Sequence, residues 1–249
     1  MPIKLRSMIA TILAFMMVLT VSGCATVKTS PEFMERQAKI QRMAVLPPDV
    51  QAYEVTFNAG NKPLPELQEI VKNHTASSLI TTLQSKGYEV SNAQISQKDI
   101  DSDPALRNAL FEIQTLYKKA TEDIAKGKKS QFTYDIGSAP NYFADRYQVN
   151  VLVLTRQVAS KPSGGVTAAE ILTTTASIVT TALLGVSAGG GFTAPQTLVT
   201  EIAVIDADLG DILWYNLGQT TENFTKADNP KPIDKLVNQI LSSFPKRKE

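Results

Sequence analysis

Residues 197–218 read TLVTEIAVIDADLGDILWYNLG, a stretch that is typical of a β-hairpin. Two runs rich in β-branched and aromatic residues, 197–205 and 212–218, flank a turn at 206–211. Aspartate and glycine suit such a turn, because aspartate side chains accept backbone N–H hydrogen bonds and glycine adopts left-handed conformations. The sequence therefore predicts two adjacent antiparallel strands near the end of the chain.

Hydrophobic patterns before and after the hairpin predict an alternation of strands and helices. Strands are expected where apolar and β-branched residues run together or alternate, at 42–46, 50–57, 88–90 and 149–158. Pro47 and Pro48 separate the first two of these, so that 50–57 extends the first strand after a kink. Helices are expected where apolar residues recur every three or four positions, at 65–86, 104–126, 141–147 and 232–243. This order predicts one α/β (α+β) domain over 41–245, with a single mixed sheet and packed helices.

The N-terminal residues resemble the signal peptide of a bacterial lipoprotein. Lys4 and Arg6 provide a positive start, and residues 8–21 form an apolar run that is short for a membrane span. The run ends in Val21-Ser22-Gly23-Cys24, which resembles the lipobox of that family. The resemblance implies that residues 1–23 are a cleaved signal peptide. The alternative is an ordinary signal peptide followed by a buried cysteine.

The lipobox resemblance implies a lipid anchor on Cys24, which is the chain's one cysteine. In this family the cysteine sulfur carries diacylglycerol and the new N-terminal amine is acylated, and two or more acyl chains anchor a protein stably. Ala25 is not aspartate, which in enterobacterial-type lipoproteins implies export to the outer membrane, facing the periplasm. Residues 24–40 are expected to form a polar tether that contains a short helix at 33–37.

Composition excludes several classes of function. The chain has 43% hydrophobic and 20% charged residues with a formal charge of +1, which argues against disorder and against a basic nucleic-acid surface. Removal of Lys4 and Arg6 with the signal peptide lowers that charge by two. One histidine and one cysteine cannot form a zinc finger, an iron–sulfur site or a disulfide framework. We therefore expect no metal, no cofactor and no nucleic-acid partner.

Two sequence patterns suggest catalysis or metal binding, and neither meets the requirements of that chemistry. Residues 185–189 match the G-x-S-x-G pattern around Ser187, but the mechanism requires a downstream histidine and His74 lies upstream. Asp206, Asp208 and Asp211 suggest a calcium loop, but the ligand series of an EF-hand is incomplete and turn formation explains the aspartates. We therefore predict no catalytic residues and no enzyme activity.

An apolar insert at about 166–192 separates the strand at 149–158 from the hairpin. Its central residues 171–189 carry no charge, and its apolar and threonine side chains fall on different faces of a helix. Three interpretations remain open: a core or surface helix, an element that contacts a membrane or a sister subunit, or a mobile loop between glycines.

The arrangement of short motifs resembles the CsgG-like and LpoB-like group of periplasmic lipoproteins, which share a TolB-N-type fold. The motifs are Val45-Leu46-Pro47-Pro48, Gly87-Tyr88-Glu89-Val90, Val151-Leu152-Val153-Leu154, Asp208 to Trp214, and Phe244-Pro245. The group contains secretion pores and activators of cell-wall synthases, so the resemblance implies a role in assembly or interaction.

The sequence thus predicts an outer-membrane lipoprotein whose periplasmic domain acts through protein–protein or envelope contacts. The alternative is an oligomeric secretion-channel component of the CsgG type, so a homo-oligomer is among the expected partners. Surface aromatics are the candidate binding residues. Trp214 and Tyr215 are neighbours on a strand and point to opposite faces, so one of them is expected to be exposed or covered by another element.

Overall fold

One mixed sheet of eight strands carries helices on both faces in the computed structural model, which describes residues 27–56, 60–93, 95–126, 132–163 and 196–247. This confirms the predicted α/β fold with a single mixed sheet. The predicted signal peptide at 1–23, Cys24 of the lipobox-like motif and the apolar insert at about 166–192 lie outside the described residues.

The strands and helices follow the predicted order, with additions. The strands are β1 (Lys28–Thr29), β2 (Arg42–Val45), β3 (Asp49–Thr56), β4 (Gly60–Pro63), β5 (Glu89–Asn92), β6 (Val151–Pro162), β7 (Thr197–Asp206) and β8 (Ile212–Thr220). The helices are α1 (Phe33–Gln37), α2 (Pro65–Ser85), α3 (Gln97–Ser102), α4 (Pro104–Lys126), α5 (Asn141–Tyr147) and α6 (Lys231–Leu241). Strands β1 and β4 and helix α3 have no counterpart among the predicted elements.

Strand β6 lies at the centre of the sheet, whose main order is β1-β8-β7-β6-β2-β5. On one side it pairs antiparallel with β7. On its other side it pairs parallel with β2 and, further along its length, with β3. Val45 is opposite Val153 whereas Asp49 is opposite Arg156, so the β2–β3 side contains one extra residue at the two prolines. Because proline cannot donate to the ladder, the strand breaks there and resumes, as the sequence predicts.

Both faces of the sheet are covered by helices, so the fold has three layers. Trp214 lies in the core beneath α2 and α6, and Tyr215 lies in the core beneath α4 and α5. Both side chains are fully buried. Neither aromatic is therefore exposed, because helices cover each of them on its own face of the sheet.

Sequence signals at the ends of the long helices are confirmed. Helix α2 ends before Gly87, which has a φ of +90° that glycine adopts without strain. Asp103 precedes α4, and its Oδ1 accepts the N–H of Leu106 at 3.0 Å. The missed helix α3 begins at Ser96, which forms a capping box with Asp99.

Residues 27–40 pack against the domain and do not form the predicted tether. Strand β1 pairs with β8, and Phe33 and Ile40 are buried in the core beneath α2 and α6. Arg36 of α1 forms ion pairs with Asp211 at 2.7 Å and Asp206 at 3.3 Å. The segment is polar in composition, but its few apolar side chains point to the core. Arg36 forms its ion pairs with the turn between β7 and β8.

Phe244, near the C-terminus, packs in the core beneath α2 and α6. The Phe244 ring lies 5.2 Å from Trp214, 5.6 Å from Tyr88 and 6.0 Å from Phe33, measured between centroids. Lys86 Nζ donates to the Phe244 carbonyl at 2.7 Å. Four aromatic rings, from α1, β8, the residue before β5 and the C-terminal segment, therefore form one cluster.

We expect Phe244→Ala to lower the free energy of unfolding by about 3–5 kcal/mol, because it leaves a cavity among the three other rings. Urea unfolding followed by tryptophan fluorescence measures the loss. Phe111 of α4 is 71% exposed, so Phe111→Ala is the matched control and is expected to change stability by less than about 0.5 kcal/mol. Equal losses for the two variants would contradict the packing described for Phe244.

Candidate functional site

A crevice opens where the neighbouring parallel strands β2 and β5 end. After β2 the chain continues through β3 and β4 and then returns along α2 on one face of the sheet, whereas after β5 it enters α3 and α4 on the other face. When the chain leaves two adjacent parallel strands toward opposite faces, a gap remains at their carboxyl ends, and ligands of open α/β sheets bind in such gaps. The topology therefore indicates this crevice as the candidate functional site.

The crevice has a volume of about 860 Å³, which is within the range of small-molecule and peptide-binding sites. Its floor is mainly apolar and comes from the ends of the two strands: Val45, Leu46, Pro47, Pro48, Ala93 and Ile95. Its wall is one side of α2: Glu69, Lys72, Asn73, Ala76, Ser77, Ile80 and Thr81. These wall residues are spaced by three or four positions, so they share one helical face.

The charges in the crevice compensate each other. Lys72 Nζ lies 3.6 Å from Glu69 Oε1, and the remaining wall residues are uncharged. Ser96 at the rim is already engaged, because its Oγ contacts the Asp99 carboxylate at 2.6 Å. An apolar floor with hydroxyl and amide groups on the wall suits an uncharged ligand of mixed polarity.

Strand β5 adds unpaired backbone groups beside the crevice. The N–H of Glu89 donates to Gln41 O, and the N–H of Ala93 donates to Val45 O. In a parallel ladder alternate residues bond to the neighbouring strand, so the N–H and C=O of Val90 and Asn92 point away from β2. Within the described residues β5 has no second strand partner. Such an edge can accept an added extended segment.

A buried ion pair is the second cluster of chemically distinctive side chains. Arg156 and Glu201 are opposite each other on β6 and β7, with Arg156 Nε donating to Glu201 Oε2 at 3.0 Å. The Tyr215 hydroxyl donates to Glu201 Oε1 at 3.2 Å. Arg156 is 3% exposed and Glu201 is 0% exposed. Burial raises the pKa of the Glu201 carboxyl, while Arg156 and the Tyr215 hydroxyl act in the opposite direction.

This cluster has no space for a substrate. The adjoining cavity, beside Asp49, Tyr117 and Thr155, has a volume of about 10 Å³, which admits a single water molecule at most. Buried charges need a partner wherever they occur in a core. We therefore assign the Arg156–Glu201 pair a structural role in joining β6 to β7.

The residues weighed from the sequence occupy separate parts of the fold. His74 lies on α2, with Nε2 3.0 Å from the carbonyl oxygen of Ala227. It lines a cavity of about 370 Å³ together with Ser78 and Asp234. Among the described residues no hydrogen bond joins His74 to either of them, so the cavity does not contain an assembled triad. Ser187 lies outside the described residues.

The aspartates of the hairpin form a turn, as predicted. Asp206 Oδ1 accepts the N–H groups of Asp208 and Leu209, each at 3.1 Å. Asp206 and Asp211 form ion pairs with Arg36, and no pattern in the sequence indicated this partner. No group of three or more histidine, cysteine, aspartate or glutamate residues suited to a metal ion occurs in the described part of the chain.

No known protein family matches the sequence, and no curated protein matches it. Among solved structures, the PelC dodecamer from Paraburkholderia phytofirmans is similar, with 10% identity and a TM-score of 0.38 over 90% of this chain and 96% of that chain. A point variant of the same dodecamer has 12% identity and a TM-score of 0.37, over 88% and 97%. The lipoprotein GNA1162 from Neisseria meningitidis has 13% identity and a TM-score of 0.34, over 81% and 97%.

Similarity at this level assigns the chain to no family and carries no function. Membership of the CsgG-like and LpoB-like group therefore stays a prediction. Of the helices in the described ranges, none combines the length and the apolar character that crossing a membrane requires.

We expect Arg156→Met to lower the free energy of unfolding by about 3–5 kcal/mol, because Glu201 then stays buried without its guanidinium. The double variant Arg156→Met with Glu201→Leu should recover most of this loss, since it removes both charges. Urea unfolding of the two variants measures the difference. An equal loss in both would contradict a role for the ion pair, because it would leave side-chain volume as the cause.

Proposed function

We propose that the protein is an envelope lipoprotein, anchored through Cys24, whose domain binds an extended segment of a partner protein in the crevice between α2 and the ends of β2 and β5. The observation that carries this proposal is the unpaired edge of β5 beside a crevice of about 860 Å³. The lipobox resemblance supplies the location, and Ala25 favours the outer membrane.

An extended polypeptide suits both parts of the site. Its backbone can bond to the outward N–H and C=O of Val90 and Asn92, which supplies affinity independent of sequence. Its side chains alternate, so those on one face can enter the crevice over Leu46 and Ile95 while the others face solvent. The balanced pair Glu69–Lys72 offers no strong attraction to an ionic ligand.

A binding role without catalysis agrees with the arrangement of reactive groups. The histidine, the buried ion pair and the crevice are separate, and the crevice wall contains no histidine or cysteine. Carboxylates and amines can also act as acids and bases, but the Glu69 and Lys72 side chains of the wall pair with each other at 3.6 Å. The alternative of a secretion-channel component has no supporting contact in the described residues.

Cys24→Ser should abolish fatty-acid labelling of the protein, because serine lacks the thiol that receives the lipid. Radiolabelled palmitate incorporation and the intact mass of the detergent-extracted chain measure the modification. Ala25→Ser retains a residue other than aspartate and is the control, with labelling unchanged. Persistent labelling of the Cys24→Ser chain would refute the anchor.

A photo-crosslinker placed at Ser77 tests the crevice. Ser77 is an exposed residue of the crevice wall, whereas Gln68 is exposed on the same helix outside the crevice. We expect benzoylphenylalanine at position 77, in intact envelopes, to form a discrete adduct with one linear segment of a partner, identified by mass spectrometry. The same group at position 68 should not form it.

Val90→Pro should weaken that adduct about tenfold, because proline removes an outward N–H and its hydrogen bond to the segment. The fold should survive, since proline is tolerated on an edge strand where its nitrogen faces away from the ladder. Val90→Thr keeps the N–H and the branched shape, and it should leave the adduct unchanged. An undiminished adduct in Val90→Pro, with unchanged circular dichroism, would contradict strand addition at β5.

A further inference from the structure

We infer that a second cavity beside the crevice binds an arginine side chain of the same partner segment. This cavity, here called the α2–α6 groove, has a volume of about 370 Å³ and is lined in part by His74, Ser78, Thr82, Asp234 and Asn238. The inference rests on the proposed binding of an extended segment in the crevice. It adds a preference for charge that the crevice lacks, because Glu69 and Lys72 compensate each other there.

The groove and the crevice adjoin along α2. Ser77 and Thr81 are exposed and line both of them. These residues are about one helical turn apart, so they form a ridge between the two spaces. Serine and threonine side chains are short, which leaves room for a long side chain to cross the ridge. A segment bound in the crevice can therefore place one of its side chains in the groove.

Hydrogen bonds within the protein fix the shape of the groove. The Thr82 hydroxyl donates to Asn238 Oδ1 at 3.0 Å and so joins α2 to α6. Asn238 Nδ2 donates to the Asp234 carbonyl oxygen at 2.8 Å. The Ser85 hydroxyl donates to the Thr82 carbonyl oxygen at 2.7 Å. These polar groups are already satisfied, and the Asp234 carboxylate is not among them.

The groups left over can all accept hydrogen bonds. His74 Nε2 lies 3.0 Å from the Ala227 carbonyl oxygen. A carbonyl only accepts, so the neutral ring carries its proton on Nε2 and Nδ1 is an acceptor. Ser78 is 5% exposed, and its hydroxyl has no hydrogen-bond partner within the part of the chain that the structure describes. A polar side chain buried to this degree normally has a partner, so Ser78 points to a ligand in the groove.

Asp234 supplies the charge that selects a cation. Of the described residues that line the groove, it alone carries a formal charge when the histidine ring is neutral. Lys235, the next residue of α6, pairs with Glu222, and no ion pair to Asp234 occurs within the described ranges. The first turn of α6 favours a carboxylate at this position but leaves its oxygens free to bind. A ligand cation therefore binds Asp234 without displacing a cation of the protein.

A guanidinium matches these acceptors better than an ammonium does. It is planar, presents five N–H donors and binds a carboxylate through two parallel hydrogen bonds. The acceptors come from two helices, with His74 and Ser78 on α2 and Asp234 on α6. The apolar stem of an arginine can pack on Pro230 at the edge of the groove. The structure thus favours arginine as the side chain that crosses from the crevice.

The single histidine allows a direct test on the full chain in detergent. Labelling histidine with carbon-13 makes the ring signals of His74 the only labelled ones, and they report on the α2–α6 groove. We expect N-acetylarginine amide to shift these signals saturably at about pH 8, where an ordinary imidazole is neutral. N-acetylcitrulline amide has nearly the same shape without the charge and should leave the signals unchanged.

Asp234→Asn should weaken binding of N-acetylarginine amide about tenfold, because it removes the charge of the main acceptor. Ser78→Ala should weaken it severalfold. Asp208→Asn is the matched control, since Asp208 is exposed in the β7–β8 turn, and it should leave the affinity unchanged. The inference is overturned by the absence of a saturable shift, by an equal shift with the citrulline compound, or by an unchanged affinity in Asp234→Asn.

Crosslinking separates this inference from the proposed function. Asn73 is exposed and lines the crevice but not the groove. Benzoylphenylalanine at position 73 should form an adduct with a segment that contains arginine, and Asp234→Asn should reduce this adduct about tenfold. An arginine-free segment, or an adduct that Asp234→Asn leaves undiminished, contradicts the inference and leaves the crevice proposal standing. The absence of any adduct contradicts the crevice proposal, and the histidine titration then decides by itself whether the groove binds a guanidinium.

Discussion

The antiparallel ladder between β6 and β7 is the interaction on which the rest of the fold depends. Its register runs from Val151 opposite Asp206 to Ser160 opposite Thr197, ten consecutive residue pairs. Because both faces of this ladder are buried, each face requires its own helical layer. Arg156 and Glu201 lie within the same ladder, and their charges compensate each other directly across the strands. Apolar packing and ionic pairing therefore hold the same two strands together.

The first and last described segments of the chain complete the layer around Trp214. Residues 27–40 add β1 and α1, and the C-terminal segment places Phe244 against rings from three other elements. Arg36 connects this N-terminal segment to the hairpin turn through Asp206 and Asp211. Strand β1 and helix α1 are therefore part of the packed domain and contribute to its stability.

The crevice follows from topology more than from any motif. Its residues come from the ends of β2 and β5 and from one side of α2, and apart from the motif Val45-Leu46-Pro47-Pro48 none of them stands out in the sequence. Proline residues at 47 and 48 end β2 and so leave Leu46 at the floor of the gap. If a partner segment adds to β5, its backbone completes the sheet and its side chains cover this apolar floor. The proposed binding mode therefore uses the two features that the domain leaves open.

Local patterns in the sequence determined most of the secondary structure and the character of the fold. Proline, glycine and aspartate marked the ends of α2, α4 and the β7–β8 hairpin, because their backbone preferences act within a few residues. The lipobox is likewise a local pattern, and it predicts the anchor at Cys24 from sequence alone. The buried helices and strands were recognisable because their apolar residues follow the period of the element that buries them.

Only the tertiary structure decided which segments meet over long distances. Strand β1 has two residues and no apolar pattern of its own, so its pairing with β8 depends on the position of Lys28 and Val27 between the two cores. The pairing of Arg156 with Glu201 joins residues 45 positions apart, and no short pattern reports such a partner. The crevice exists because the chain leaves β2 and β5 toward opposite faces, and a choice of face is a property of the assembled sheet. Sequence patterns encode preferences over a few residues, whereas register, layering and the gaps between layers are set when distant segments pack.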